Sequence, residues 1–147
     1  KPLAGAQVEI WQCDHAGHYH HPGDGGRADP NFQGFGRITV GADGRYRFRT
    51  IRPVAYGGRT PHVHFKVLLD GKETVASQIF FDDEVNDEVF GNWDPYREHV
   101  SKRTVFNHND RFLDANEDER IDGVFCEVER YDSNGVAARG VATVDDA

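Results

Sequence analysis

The sequence predicts an all-β fold, an antiparallel β-sandwich with long functional loops and little helix. Three observations predict it. Apolar and polar residues alternate at period two in segment after segment, Gly-rich turns separate those segments at regular spacing, and helical periodicity is scarce. At about 150 residues per domain, the 147 residues argue for one domain spanning 1–147. Hydrophobic residues make up 37% and charged residues 29%, a globular composition. Twenty-five acidic residues against 17 Lys and Arg leave a net charge of −8. That balance argues against nucleic acid and anionic membranes, because phosphate neutralisation needs a basic face. No apolar run is long enough for a transmembrane helix. Small molecules, metals and basic partners remain.

The elements follow in order. Residues 7–13 (QVEIWQC) set Val8 and Ile10 against Glu9 and Trp11, as a strand with one buried face does. Residues 14–35 form a Gly/Pro/His-rich loop, longer than connections without a function usually are. Residues 36–40 and 45–51 flank GADG, an Asp-Gly turn signal, and read as a hairpin. Residues 62–69 and 74–81 read as a second hairpin around DGKE, and residues 123–131 and 136–144 as a third around DSNG. Residues 82–100 hold short amphipathic stretches, broken at Gly91 and Pro95, that allow one or two helical turns.

Two cysteines, Cys13 and Cys126, are too few for a disulfide framework and form no CxxC pair. Free core thiols and a single long-range disulfide both fit. The chain holds no Met and opens KPLAG directly before a strand, which reads as a processed start.

Three motifs could carry chemistry. In PHVHF (61–65), a strand would point His62 and His64 to the same face, half of a metal site or simply a polar strand face. In HAGHYHH (15–21), His15, His18, His20 and His21 surround Tyr19, either as metal donors or as a solvated loop. In DANEDERIDG (114–123), Asp114, Asn116 and Asp118 follow EF-hand spacing. Glu119 stands where the loop needs Gly, and Phe125 where it needs Glu, so a solvated acidic turn is the better reading. There is no nucleophile elbow, phosphate loop or dinucleotide fingerprint.

Taken together, GAQVEIWQCDHAGHYHH, DPNFQGFGR and GRYRFRTIRPVAYGGRTPHVHF resemble the intradiol ring-cleavage dioxygenases, above all the protocatechuate 3,4-dioxygenase branch. The resemblance is dense from Gly5 to Phe81 and looser beyond. It implies a β-sandwich holding one mononuclear non-haem Fe(III), which uses O2 to cleave a catechol between its two hydroxylated carbons to a muconate-type diacid. Carried over residue by residue, Tyr19 and Tyr56 match the two tyrosinate ligands, and His62 and His64 the two imidazoles. At the Tyr56 position the family has an axial ligand that leaves when substrate binds. Arg59 matches the active-site arginine, and Gln78 in ASQIFF a glutamine that supports it. Gly57 and Gly58 depart from bulkier residues of some relatives and would open the pocket. Trp11 is family-like, as a core aromatic or a pocket wall.

This ligand set makes chemical sense. A phenol with a reference pKa of about 10 keeps its proton unless a strong Lewis acid replaces it, and Fe(III) is such an acid. The resemblance leaves open which catechol is used, is compatible with a homo-oligomer, and tilts the expected location towards outside the cytoplasm. The competing class is a binding module that keeps only the sandwich, since fold patterns alone do not imply catalysis. A two-histidine zinc or copper site ranks last, having no need of Arg59 or the tyrosines.

Overall fold

The computed structural model describes residues 3–112 with their side chains, and the backbone of residues 124–131 and 135–142. Residues 114–123 and the side chain of Cys126 therefore lie outside the described residues. Most of the regular structure is sheet. β1 (Gln7–Trp11), β2 (Phe35–Thr39), β4 (His62–Leu69) and β5 (Lys72–Phe80) form one antiparallel sheet in the order β2-β1-β4-β5. β3 (Phe48–Thr50), β6 (Val124–Tyr131) and β7 (Gly135–Ala142) form a second, in the order β3-β7-β6.

The hairpins expected around DGKE and DSNG are present as β4–β5 and β6–β7. The one expected around GADG is not. The turn itself forms, with the Gly44 N–H donating to the Gly41 carbonyl at 3.1 Å and Gly44 at φ +74°. Its two flanking strands then part: β2 pairs with β1, and β3 with β7 in the other sheet. An Asp-Gly turn reverses the chain but does not oblige the arms to pair, and here it makes a corner between sheets.

Alternation in β1 works as the sequence implies on one face. Ile10 is buried beside Val63 and Phe65 of β4 and Val8 beside Val67, with Phe48 of β3 packed against both clusters. The other face carries Glu9, Trp11, His64, Lys66 and Gln78, because β1 pairs Trp11 with His64 and Glu9 with Lys66, while β4 pairs His64 with Gln78. Glu9 is buried too, at 3% exposure. Lys66 reaches one carboxylate oxygen at 3.2 Å and Arg37 holds the other. Burial alone would raise its pKa, but the two cations outweigh that and hold it below the usual carboxylate value.

α1 (Asp83–Asn92) is the helix of the 82–100 stretch and runs through Gly91, which was expected to break it; a 3₁₀ segment, Tyr96–Lys102, follows. Asp83 and Glu84 favour its N-terminal turn, where the helix dipole attracts negative charge. Asn86, Val89 and Phe90, at helical spacing, are its buried face. Asp83 and Asp87 also bind Arg103, which ties α1 to the residue closing that 3₁₀ segment.

Candidate metal centre

β4 presents the two histidines on one face, as its period demands. His62 is fully buried, and its Nδ1 lies 2.8 Å from the Thr60 carbonyl. A carbonyl can only accept, so the proton sits on Nδ1 and the Nε2 lone pair faces the site. The His64 ring is stacked on Trp11, with centroids 5.0 Å apart and planes 5° from parallel. Trp11 thus acts as a wall that fixes the His64 ring.

Tyr19 comes from the long loop. The buried Asp14 carboxylate ties that loop down by accepting the N–H groups of Ala16, His18 and Asp29 at 2.8–2.9 Å, and Asp24 accepts the Tyr19 N–H. Gly17, at φ +87°, lets the loop close on the site: a Cβ there would lie 3.1 Å from the Tyr56 Cβ. Tyr56 opens a tight turn through Gly57 and Gly58, both at positive φ, closed by the Arg59 N–H donating to the Tyr56 carbonyl at 2.9 Å. A Cβ at either glycine would meet nothing within 4 Å, so the turn borders open space.

The four side chains meet. The Tyr19 and Tyr56 hydroxyl oxygens are 2.6 Å apart, the Tyr56 oxygen is 3.1 Å from His62 Nε2, and that nitrogen is 3.2 Å from His64 Nε2. Burial, together with the neighbouring phenol, pushes the Tyr19 hydroxyl far above the ordinary phenol value; burial raises Tyr56 as well. Burial lowers His62, and burial with the charges of His62 and Arg59 brings His64 down to about 4. Two neutral phenols and two neutral imidazoles are thus crowded around one point. Two oxygen and two nitrogen donors suit a hard-to-borderline cation that can displace both phenolic protons. The donor set fits ferric iron.

Arg59 sits beside this cluster. Its Nη2 donates to Gln78 Oε1 at 2.7 Å, and its Nε to both oxygens of Asp110 at 3.0 and 2.7 Å. Phe112 lies under the guanidinium, 4.4 Å from its ring centre. Asp110 escaped the sequence reading, because nothing local marks a carboxylate 51 residues from its arginine. Gln78 lies directly across from His64 in the β4–β5 register.

The remaining loop histidines do not join the cluster. His15, His20 and His21 are exposed, and among the described residues no three His, Cys, Asp or Glu side chains gather as a metal site. Cys13 is a buried free thiol, its pKa pushed up to about 12 by burial. A cleft of about 590 Å³ opens beside Tyr19, walled by Trp11, Phe35, Glu9 and Lys66.

Over residues 1–122 the chain matches the family model described as Dioxygenase. Its structure aligns with an intradiol ring-cleavage dioxygenase from Tetranychus urticae at a TM-score of 0.71 and 28% identity, covering 88% of this chain and 66% of that one. The chain belongs to the intradiol ring-cleavage dioxygenase family. Among curated members it is 42% identical over 91 residues to the protocatechuate 3,4-dioxygenase beta chain of Burkholderia cepacia, covering 54% of this chain and 39% of that one. It is 36% identical over 98 residues to catechol 1,2-dioxygenase 1 of Acinetobacter lwoffii, covering 54% of this chain and 31% of that one. The chain therefore spans less than two-fifths of these two relatives' length. No helix among the described residues is long and apolar enough to cross a membrane.

Proposed function

We propose that this protein is an Fe(III)-dependent intradiol dioxygenase that opens a catechol ring between its two hydroxylated carbons with O2, giving a muconate-type diacid. The observation that carries this reading is the convergence of Tyr19, Tyr56, His62 and His64 through contacts of 2.6–3.2 Å. Tyr19, Tyr56, His62 and His64 would hold the metal. Bound there, ferric iron would supply Lewis acidity, keeping the phenols ionised and drawing electron density from a bound catechol.

The protein's own groups do the rest. Thr60 keeps the His62 proton on Nδ1, so Nε2 stays a donor. Trp11 holds the His64 plane. Tyr56 Oη, standing over an open turn, is placed to take a proton from a catechol hydroxyl as a general base. Arg59, within hydrogen-bonding reach of Gln78, supplies a fixed positive charge for the negative charge that develops on the opening ring. The cleft beside Tyr19 offers room for substituents on the catechol. We read the two sheets as the layers of a β-sandwich, a reading supported by Phe48 of the second sheet packing on Val8 and Ile10 of the first.

A non-enzymatic module would have no use for the four donors together, which favours the enzyme. The test is the visible spectrum of iron-loaded protein with a catechol added in the absence of oxygen, followed by O2 uptake. A tyrosinate-to-iron charge-transfer band that shifts with catechol supports the reading. A protein that stays colourless after iron loading rejects it.

A further inference from the structure

Arg59 is held by more than Gln78. The Asp110 carboxylate, fully buried, accepts Arg59 Nε through both oxygens, and also the backbone N–H groups of Thr60 at 3.2 Å and Phe112 at 3.0 Å. These contacts fasten one carboxylate to Arg59 and Thr60, the two residues that precede PHVHF, and to Phe112. Thr60 in turn presents the carbonyl that fixes His62 Nδ1, and its hydroxyl donates to Asn107 Oδ1 at 3.1 Å. One buried group therefore sets both the angle of the arginine and the footing of a donor imidazole.

The guanidinium geometry shows what this achieves. Nε is consumed by Asp110 and one Nη2 proton by Gln78, while the Phe112 ring covers one guanidinium face. Among the described residues Nη1 has no hydrogen-bond partner. The fork is thus clamped along one edge, with its opposite corner left to donate. Such clamping matters because a stabilising donor displaced by about 1 Å can cost about 100-fold in rate.

We propose that Asp110 is the positioning residue of the site: it aims the Nη1 corner of Arg59 at the bound substrate and, through Thr60, holds His62 in register with it. This rests on the dioxygenase reading. Burial alone would raise the Asp110 pKa, but the Arg59 hydrogen bonds and the two backbone donors overcome that and keep it ionised. The pair therefore stays a fixed dipole instead of a mobile cation.

The test is a double-mutant cycle on the iron-loaded protein with Asp110→Asn and Arg59→Ala, read by O2 uptake, iron content and the charge-transfer band. Asparagine keeps the shape and one accepting oxygen, so the fold survives better than with alanine; a thermal melt on each variant checks this. In the otherwise unchanged protein, Asp110→Asn lowers kcat about 10- to 100-fold, with iron still bound and KM changed far less. In the Arg59→Ala background the same substitution changes kcat less than about 2-fold, because the arginine is gone while the asparagine oxygen still accepts the Thr60 N–H that holds His62 in place. An undiminished kcat in folded Asp110→Asn, or an equal loss in both backgrounds, overturns the proposal. If the unmutated, iron-loaded protein consumes no O2 with catechol, protocatechuate or hydroxyquinol, the dioxygenase reading itself has failed and this inference falls with it.

Discussion

The hydroxyl oxygens of Tyr19 and Tyr56 lie 2.6 Å apart although the residues come from unrelated parts of the backbone, one on a loop pinned by two aspartates and the other on a glycine turn. Burial raises both phenols, and the contact with Tyr56 raises Tyr19 further. Two buried phenols facing each other are poor acids alone and good partners for a cation.

Tyr56→Phe removes one of those oxygens and leaves Tyr19, His62 and His64 in place. The expected outcome is retained but weaker iron binding, a displaced charge-transfer band and weaker binding of doubly ionised catechol. Iron analysis and anaerobic spectra measure all three. A spectrum identical to that of the parent protein would take Tyr56 out of the ligand set.

Arg59→Ala is expected to leave iron bound while lowering kcat by about 10²–10³, the usual effect of removing one transition-state donor. Steady-state O2 uptake with an iron assay checks it. A change confined to KM would mean that Arg59 binds substrate and its transition state equally.

Acid should weaken the fold through Glu9 and Asp14. Both carboxyls sit below their ordinary values: burial pushes each up, but Arg37 and Lys66 for Glu9, and three backbone donors for Asp14, pull each further down. A depressed folded pKa stabilises the protein above the unfolded value, about 4 for these groups, and that contribution disappears as pH falls through the lower folded value. Melting temperature should therefore fall steeply below about pH 4. Asp14→Asn should cost about 1–3 kcal/mol at neutral pH, by leaving buried N–H groups poorly paired, and should flatten the acid limb. An acid limb of unchanged steepness in Asp14→Asn contradicts this assignment.

Gly36→Val should destabilise the fold by about 1–3 kcal/mol, through overpacking. A Cβ at Gly36 would sit 3.0–3.1 Å from two ring atoms of Phe48, the aromatic joining the second sheet to the first. Thermal melts read the loss. Stability equal to that of the parent would show that Phe48 has room to move.

Much of the candidate site could be read from the residues alone. The two-residue spacing of His62 and His64 gave their shared face, and the resemblance to the intradiol dioxygenases added Tyr19, Tyr56, Arg59 and Gln78. The fold was legible where pairing is local, as in β4–β5. It was misread where a turn signal was taken for a pairing rule, because whether strands pair after GADG depends on β1 and β7, far away in sequence. Asp110 was invisible for the same reason: its meaning lies in Arg59, Thr60 and Phe112, none of which shares a motif with it. Glu9 was misjudged because alternation assigns a face, and only Arg37 and Lys66 show how a carboxylate survives under cover there.

The turn from Tyr56 to Arg59 has a mechanical consequence. Its closing hydrogen bond ties the Tyr56 carbonyl to the Arg59 amide, while Asp110 anchors the arginine side chain from behind. The main chain under Tyr56 is thus bolted at the far end of a four-residue span. Any departure of the phenol from the donor cluster has to come from rotation about its own side-chain bonds, like a pendulum on a rigid bracket. The Arg59 side chain, held by Asp110, would not have to move with it.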